Sequence, residues 1–421
     1  MFRFLHAADV HLDSPLVGLD RYESAPVDAV RSATRRAFEN LVGLAIDEEV
    51  AFVLLVGDLY DGDWKDYRTG LFFVEQMAKL REAQIPVFVV AGNHDAASQL
   101  TKNLRPPDNV HFFSTKKPET RFVEAFDVAV HGQGYATRGI TADLAAAYPA
   151  ADGSMFHVGL LHTSLDGRPG HAPYAPTLSQ LLAQKGYQYW ALGHVHKREV
   201  VSQDPWIVFP GNLQGRHARE TGPKGCTLVT VENGAVKQVE ERPVDVLRWA
   251  VTRIDAEGAS STGEVLDRVA HAIASEADRS DGRALAVRVE VCGPVACHDE
   301  IASDPDRWTQ EVRALAAGVG STDVWIEKVR FATERPTDLA QLAARDDAIG
   351  SLIRDIASAA GDPAEIEALR ASLVDIRGVL PRELLDGEDT VHPHSPETLA
   401  RMVVEARELL LARIIRQGSV S

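Results

Sequence analysis

Cysteine is scarce in this 421-residue sequence, which contains only Cys226, Cys292 and Cys297. Three unevenly spaced cysteines are too few for a disulfide framework, so we expect a reducing, cytoplasmic environment. None of the three lies in a pattern that predicts a nucleophile. At ~150 residues per domain, the length instead suggests about three domains, with enough apolar residues for a sizeable core.

Long apolar runs are also missing. No segment approaches the ~18 consecutive apolar residues of a membrane span. The N-terminal sequence MFRFLHAADVH lacks the basic region, the long apolar segment and the small-residue cleavage site of a signal peptide. We therefore expect a soluble, unexported protein without a membrane partner.

Basic residues are in deficit, because 44 Lys and Arg stand against 61 Asp and Glu, for a formal net charge of -17. This balance argues against a protein that holds nucleic acid by bulk electrostatics. Any phosphate-bearing substrate must therefore be held locally, by bound cations or by a focused basic patch.

The sequence does contain short apolar runs that are followed directly by polar side chains. Residues 50–56 and 85–91 are rich in β-branched residues, which is typical of parallel strands covered on both faces. Asp58 follows the first run, and Asn93 and His94 follow the second. Ligands bind at the carboxyl ends of strands in open α/β sheets. The pattern therefore indicates a metal site at this edge.

Three more strand-like segments, at residues 2–8, 155–161 and 189–192, lead in the same way to potential ligands. The competing interpretation, turn carboxylates and incidental histidines, must account for five such segments in succession. Mixed carboxylate, amide and imidazole donors favour manganese, iron or zinc over magnesium and calcium. The candidate metal ligands, in chain order, are Asp9, His11, Asp58, Asn93, His162, His194 and His196.

Two divalent ions at this site would suit hydrolysis of a phosphodiester, because ions ~3.5 to 4 Å apart activate a water and neutralise phosphate oxygens. Asp58, after the central strand, would bridge the ions. His94 is adjacent to the ligand Asn93 and is better interpreted as an acid that protonates the leaving oxygen, or as an electrostatic stabiliser. Asp61, three residues beyond Asp58, could hold that imidazole in the required tautomer.

Taken together, D-x-H, GD-x-x-D, GNH-D, a later strand ending in His, and GH-x-H resemble the calcineurin-like metallophosphoesterase superfamily over residues 1 to about 240. The resemblance implies that Asp9, His11, Asp58 and His196 bind one ion. It implies that Asp58, Asn93, His162 and His194 bind the other, with His94 as the catalytic histidine and Asp61 as its partner.

Within that superfamily, the segments FLHAADVHLDSPL, GDLYD and PGNLQGRHARETGPKGC resemble the SbcD-type DNA repair exonucleases, in their YhaO-like branch. This resemblance implies manganese-dependent hydrolysis of DNA phosphodiesters with 3′ to 5′ polarity, and a homodimer. It also implies an SMC-like coiled-coil ATPase as a partner bound through the C-terminal helices.

Arg216 and His217 are candidate substrate-binding residues. They follow a glycine-containing loop, residues 211–215, that could bring backbone donors and a guanidinium to a phosphate. The alternative is a hairpin turn with exposed charge.

The expected fold is α/β: a four-layer αββα metallophosphoesterase sandwich with a small α+β capping domain and a C-terminal helical region. The boundaries are residues 1–243 for the nuclease domain, 244–335 for the capping domain and 336–421 for the helical region. The apolar stripes of the last region either pack against the rest of the protein or bind a partner.

Two other functions compete with the nuclease. A phosphodiesterase or phosphatase acting on small molecules would use the same ligands, but would leave the capping domain and the terminal helices without an assigned role. A binding subunit with structural metals, serving an ATPase partner, would not need the complete ligand set together with His94.

Overall fold

A computed structural model describes residues 1–12, 14, 27–60, 67–97, 105–153, 155–166, 174–319 and 323–336, with six isolated positions between 343 and 354. Asp61 and nearly all of the predicted C-terminal helical region therefore lie outside the described residues. Contacts divide the described residues into two compact units, one that extends to Trp249 and one that begins at Ala250.

The first unit contains two sheets and three helices among the described residues. The helices are α1 (Val27–Asp47), α2 (Tyr67–Glu82) and α3 (Ser179–Gln184). The strands are β1 (Phe2–Ala7), β2 (Phe52–Val56), β3 (Val87–Val90), β4 (Val110–Phe112), β5 (Glu119–Val123), β6 (Val128–Gly132), β7 (Phe156–His162), β8 (Tyr189–Gly193), β9 (Glu199–Gln203), β10 (Trp206–Phe209), β11 (Gly225–Glu232) and β12 (Ala235–Pro243).

Each sheet has six strands, in the orders β12-β11-β1-β2-β3-β4 and β5-β6-β7-β8-β10-β9. Strands β1 to β4 run parallel to one another, as do β6, β7, β8 and β10. The antiparallel pairs are those made by β11 and β12 in the first sheet and by β5 and β9 in the second. Parallel strands bring their carboxyl ends to one edge of a sheet. This arrangement places the residues after β1, β2 and β3 side by side.

Apolar side chains fill three layers of core. Helices α1 and α2 cover the outer face of the first sheet, where Phe38 and Phe73 pack in one cluster with Leu55. Between the sheets lies a second cluster that includes Phe4 and Val158. On the outer face of the second sheet a third cluster joins residues of α3 and neighbouring loops. These layers confirm the predicted αββα sandwich.

The second unit contains all but the first three residues of a three-stranded sheet in the order β13-β14-β15, with β13 at Leu247–Asp255, β14 at Ala284–Pro294 and β15 at Val324–Glu334. Its helices are α4 (Thr262–Asp278), α5 (His298–Ser303) and α6 (Pro305–Ala316). Val265, Val269 and Ile273, at helical spacing on α4, are buried against the sheet residues. This is the α+β architecture that the sequence pattern predicted.

Two short segments precede β8 in the first unit. Ala145–Ala147 form a single 3-10 turn. The hydroxyl of Thr177 donates to Asp143, and α3 begins two residues later, at Ser179. Among the described helices, none combines the length and apolarity needed to cross a membrane.

Candidate metal centre

Several candidate ligands lie where the backbone leaves a strand in a conformation that is unusual for residues with a side chain. The φ angle is positive at Asp9 (50°), His11 (46°), Asp58 (51°) and His194 (99°). Such conformations cost about 1–3 kcal/mol each and concentrate at functional sites. The fold therefore retains strain at the strand ends that carry these four side chains.

Glycines allow the strand ends to approach one another closely. A Cβ atom on Gly193 would lie 1.9 Å from the carbonyl oxygen of Val56, which ends β2. One on Gly92, just before Asn93, would lie 2.2 Å from Oδ1 of Asp58. Only glycine fits at either position without movement of the backbone, so both glycines are needed for the strand ends to lie this close together.

Two overlapping groups of donor atoms meet at this edge. One is Asp9, His11 and His196, the other is Asp9, Asp58 and His162, and within each group the donor atoms all lie within 4.8 Å of one another. In the first group, Nε2 of His11 lies 3.3 Å from Nε2 of His196, which is itself 3.9 Å from Oδ1 of Asp9. Because Asp9 belongs to both groups, the two potential ion positions are adjacent.

Asp58 lies between the histidines of the two groups. Its Oδ2 atom is 3.5 Å from Nε2 of His162 and 4.0 Å from Nε2 of His11. The same His162 nitrogen is 2.9 Å from Oδ1 of Asn93, while Nδ1 of His162 donates to the carbonyl oxygen of Val56 at 3.1 Å. Nε2 of His162 thus faces the side-chain oxygens of Asp58 and Asn93. Either a proton or a metal cation between the nitrogen and these oxygens would be favourable.

His194 contributes its backbone as well as its ring. Its N–H donates to both carboxylate oxygens of Asp9, at 3.1 and 3.0 Å. Its ring centroid lies 5.2 Å from that of His162 and 5.6 Å from that of Tyr174. His194 therefore lies next to the second group, although its ring is not among the donors that meet within 4.8 Å in the described chain.

Burial and charge shift the protonation of this centre. Burial raises the pKa of Asp9 to about 6, while the histidines His196 and His162 oppose that shift. Burial alone would also raise the pKa of Asp58, but His162 and two further histidines hold it below its usual range. For His162, burial lowers the pKa, yet the carboxylates of Asp58 and Asp9 outweigh burial and raise it to about 9.

The donor set fits divalent metal ions. Asp9 and Asp58 are at most 2% exposed, so their charge must be balanced inside the protein. Imidazole, carboxylate and amide oxygen together are ligands that suit first-row transition metals. The structure thus brings together Asp9, His11, Asp58, Asn93, His162 and His196 in an arrangement that can hold two such ions.

His94 lies beside the candidate metal ligands rather than among them. Its backbone N–H donates to Oδ1 of Asp58 at 2.9 Å, and its Nε2 lies 4.0 Å from Oδ2 of the same carboxylate. The side chain is 27% exposed, so a substrate can reach the imidazole. Its expected partner Asp61 lies outside the described residues, and that pairing stays a prediction.

Asp95 is a site residue to which the sequence analysis gave no role. Its carboxylate accepts the backbone N–H groups of Tyr60 at 3.0 Å and Gly92 at 2.9 Å. Burial, with the charge of Asp58 acting in the same direction, raises the pKa of Asp95 to about 6. Asp95 therefore ties together the loops that carry Asp58 and Asn93.

Arg216 and His217 converge on a second residue that the sequence analysis did not identify, Glu220. Nη2 of Arg216 and Nε2 of His217 lie 3.4 and 3.5 Å from Oε1 of Glu220. The same oxygen lies 2.6 Å from Nδ1 of His196. Burial would raise the pKa of Glu220, but the hydrogen bond from His196 and the charge of Arg216 hold it below its usual range.

Comparison with known proteins identifies the family. Residues 2–198 match the calcineurin-like phosphoesterases, and residues 249–334 match the middle domain of the metallophosphoesterase YhaO. Residues 2–198 belong to the calcineurin-like phosphoesterase family, whose members bind divalent metal ions. Every candidate metal ligand, from Asp9 to His196, lies in this matched region.

Individual relatives match only part of their own length. YhaO of Bacillus subtilis, named as an uncharacterised metallophosphoesterase, is 38% identical over 262 residues, which cover 61% of this chain and 64% of that protein. The DNA double-strand break repair protein Mre11 of Sulfurisphaera tokodaii is 26% identical over 273 residues, covering 60% of this chain and 65% of that one. Both matches span less than two thirds of the relative.

Among solved structures, a dimetal phosphatase from Danio rerio matches 55% of this chain and 93% of that one, with 12% sequence identity and a TM-score of 0.35. A similarity at this level carries no argument about the site.

Proposed function

We propose that this protein is a dinuclear, manganese-dependent nuclease that hydrolyses DNA phosphodiester bonds with 3′ to 5′ exonuclease polarity in DNA repair. The observation that carries the proposal is the pair of adjacent donor groups that share the buried carboxylate of Asp9. The two groups would mark two neighbouring ion positions, and Asp58, which lies between their histidines, would bridge the ions. Iron or zinc would also suit these donors.

The proposed ligands are those expected from the sequence. Asp9, His11, Asp58 and His196 would hold one ion, and Asp58, Asn93, His162 and His194 the other. When bound, two such ions supply an activated water at neutral pH and neutralise the charge of a phosphodiester. The chain is acidic overall, so this local positive charge also offsets the repulsion of an anionic substrate.

His94 would supply a proton to the leaving oxygen. Its imidazole is partly exposed beside Asp58, within reach of a substrate held at the centre. Asp61 would orient the imidazole, which is the role expected of the carboxylate three residues after Asp58. Removal of His94 should therefore slow the chemical step more than it weakens substrate binding.

The assignment of DNA as the substrate is supported by the similarity to Mre11, which is named as a DNA double-strand break repair protein. Arg216 and His217 would bind substrate phosphates, since both lie near Glu220, which also contacts the candidate ligand His196. The guanidinium of Arg216 is suited to planar, charge-assisted hydrogen bonds with phosphate oxygens.

We further assign residues 1–243 to the nuclease domain, 244–335 to a capping domain and 336–421 to a helical partner-binding region. An SMC-like coiled-coil ATPase would bind that last region in the cytoplasm, and the nuclease would act as a homodimer. Deletion of residues 338–421 should abolish co-purification of the ATPase. Unchanged binding by the shortened protein would contradict this assignment.

The nuclease proposal is tested by hydrolysis of end-labelled single- and double-stranded DNA beside bis(p-nitrophenyl) phosphate, with Mn²⁺ or with EDTA. His94→Ala is compared with His111→Ala, because both imidazoles are 27% exposed and His111 lies on β4 with Glu119 as its partner. We expect Mn²⁺-dependent shortening of DNA that His94→Ala reduces about 100-fold or more and His111→Ala leaves unchanged.

The alternative outcome is equally specific. Turnover of the small ester with DNA left intact, in the presence of the ATPase as well as in its absence, would make the protein a small-molecule phosphodiesterase. Equal activity of His94→Ala and His111→Ala would remove His94 from the mechanism while leaving the metal centre in place.

A further inference from the structure

Glu220 makes the closest contact to a candidate metal ligand among the described carboxylates. Its Oε1 atom lies 2.6 Å from Nδ1 of His196, 24 positions earlier in the chain. A carboxylate only accepts hydrogen bonds, so Nδ1 of His196 carries the proton. Nε2 of His196 is then left as a lone pair, and it faces His11 and Asp9.

The Glu220 carboxylate is itself fixed from several directions. Its Oε2 atom accepts the side-chain amide of Asn212 and the backbone N–H of Arg216, both at 2.8 Å. Side-chain nitrogens of Arg216 and His217 lie near Oε1. The residue is 5% exposed. These contacts prevent rotation of the carboxylate and so fix the ring plane of His196.

The two donor groups differ in how their histidines are oriented. Nδ1 of His162 is held by a neutral backbone acceptor, the carbonyl of Val56, at 3.1 Å. Nδ1 of His196 is held by a buried carboxylate, which makes the imidazole a more basic ligand as well as a better oriented one. Loss of Glu220 should therefore affect one of the two groups selectively.

We infer that Glu220 is a positioning residue for the metal ion held by Asp9, His11 and His196, because it fixes the tautomer and orientation of His196. This inference rests on the metal centre of the proposed function. It assigns a role in metal binding to a residue that is not among the proposed ligands. It further predicts that loss of Glu220 weakens binding of the ion held by His162 much less.

The test is Mn²⁺ titration of the full chain by isothermal calorimetry, for wild type, Glu220→Gln and Glu327→Gln. Glu327 is a matched control because it is 4% exposed and pairs with Arg288 in the second unit. We expect Glu220→Gln to lower the affinity for one of two ions about 10- to 100-fold, with the second ion and the control nearly unchanged. Unfolding in EDTA should show similar destabilisation of both variants.

Each result is decisive. If the wild type binds no Mn²⁺, the proposed function itself fails. If the wild type binds two ions and Glu220→Gln binds both equally well, the metal centre stands and the role of Glu220 is wrong. An equal loss of affinity for both ions would also overturn the inference, because it would indicate a general structural effect.

A second measurement covers the case in which Glu220→Gln does not fold. Long-range ¹H–¹⁵N NMR of the Zn²⁺-loaded wild type reports the tautomer of His196, whose signals are identified by their absence in His196→Gln. The inference requires a proton on Nδ1 and metal on Nε2. Coordination through Nδ1 would contradict it.

Discussion

Asp95 accepts a hydrogen bond from the backbone N–H of Tyr60, with 3.0 Å between Oδ1 and the nitrogen. The bond joins the loop after β3 to the loop after β2, 35 positions earlier in the chain. The first loop carries Asn93 and His94, and the second follows Asp58. The relative position of these side chains therefore depends on a carboxylate that is not itself a proposed ligand.

We expect Asp95→Ala to destabilise the protein by about 2–4 kcal/mol, because it removes the hydrogen bonds that Tyr60 and Gly92 donate to a buried charged acceptor and leaves those backbone donors unsatisfied. Urea unfolding in EDTA measures this change without a contribution from bound metal. Asp152→Ala is the control, since the Asp152 side chain is 67% exposed and its Oδ1 atom lies 3.1 Å from Nε2 of His157. Equal decreases in the free energy of unfolding of Asp95→Ala and Asp152→Ala would show that the contact between the two loops adds no particular stability.

The close approach of β8 to β2 gives a second prediction. In Gly193→Ala the new Cβ would lie 1.9 Å from the Val56 carbonyl oxygen and 2.9 Å from Nδ1 of His162. The two sheets would have to move apart at the metal centre, at a cost of about 3 kcal/mol or more. We expect lower thermal stability and at least tenfold weaker Mn²⁺ binding.

Gly139→Ala provides the comparison for that variant, because a Cβ at Gly139 would meet no atom within 4 Å. Its stability and Mn²⁺ affinity should equal those of the wild type. Wild-type Mn²⁺ affinity in Gly193→Ala would mean that the spacing between β2 and β8 does not matter for the site.

The sequence predicted the sandwich, and the polar residues that follow its strands, because each lies in a segment whose pattern is local. Strand β2, for example, is buried at every position, and Asp58 follows two residues after its end. Strands β5 and β9 were not predicted, because they are edge strands with several exposed residues and no regular alternation. Their pairing is determined by the neighbouring strands.

Glu220 could not be assigned from its surroundings in the sequence. It lies in an irregular loop, and its main partner His196 is brought near by the pairing of β8 with β10 and by the path of the chain beyond it. Asp95 was visible as part of the GNH-D motif, but its amide partner Tyr60 is distant in the chain. Roles that depend on such long-range contacts require the fold.

Metal removal gives a third prediction. Mn²⁺ at about 100 times its dissociation constant should raise the free energy of unfolding by ~2.7 kcal/mol for each site occupied in the native state only. EDTA should reverse the increase. In Asp58→Asn we expect most of this stabilisation to be lost, since Asp58 lies between the two donor groups. Asp152→Asn should retain it, and retention in Asp58→Asn would argue against a bridging role.

A fourth prediction concerns the pH dependence of stability and the buried His6. Nδ1 of His6 lies 3.0 Å from the Tyr189 hydroxyl, and Nε2 lies 3.0 Å from the Leu192 carbonyl oxygen, so the ring joins the two sheets. Burial, assisted by the charge of Arg198, lowers its pKa from 6.5 to about 3. The native ring therefore stays neutral at pH values where the unfolded chain binds a proton.

Since the unfolded state binds more protons between pH 6.5 and 3, His6 makes the free energy of unfolding fall as the pH is lowered through this window. At pH 5 its contribution should be a loss of about 2 kcal/mol relative to pH 7. We would measure the free energy of unfolding by urea in EDTA at pH 7 and at pH 5. Between these two pH values it should fall by about 2 kcal/mol less in His6→Gln than in the wild type. His271→Gln, at an exposed position of α4, should keep nearly the wild-type difference. An unchanged difference in His6→Gln would mean that the native ring accepts a proton in this range, and that the contact between the sheets tolerates a charge.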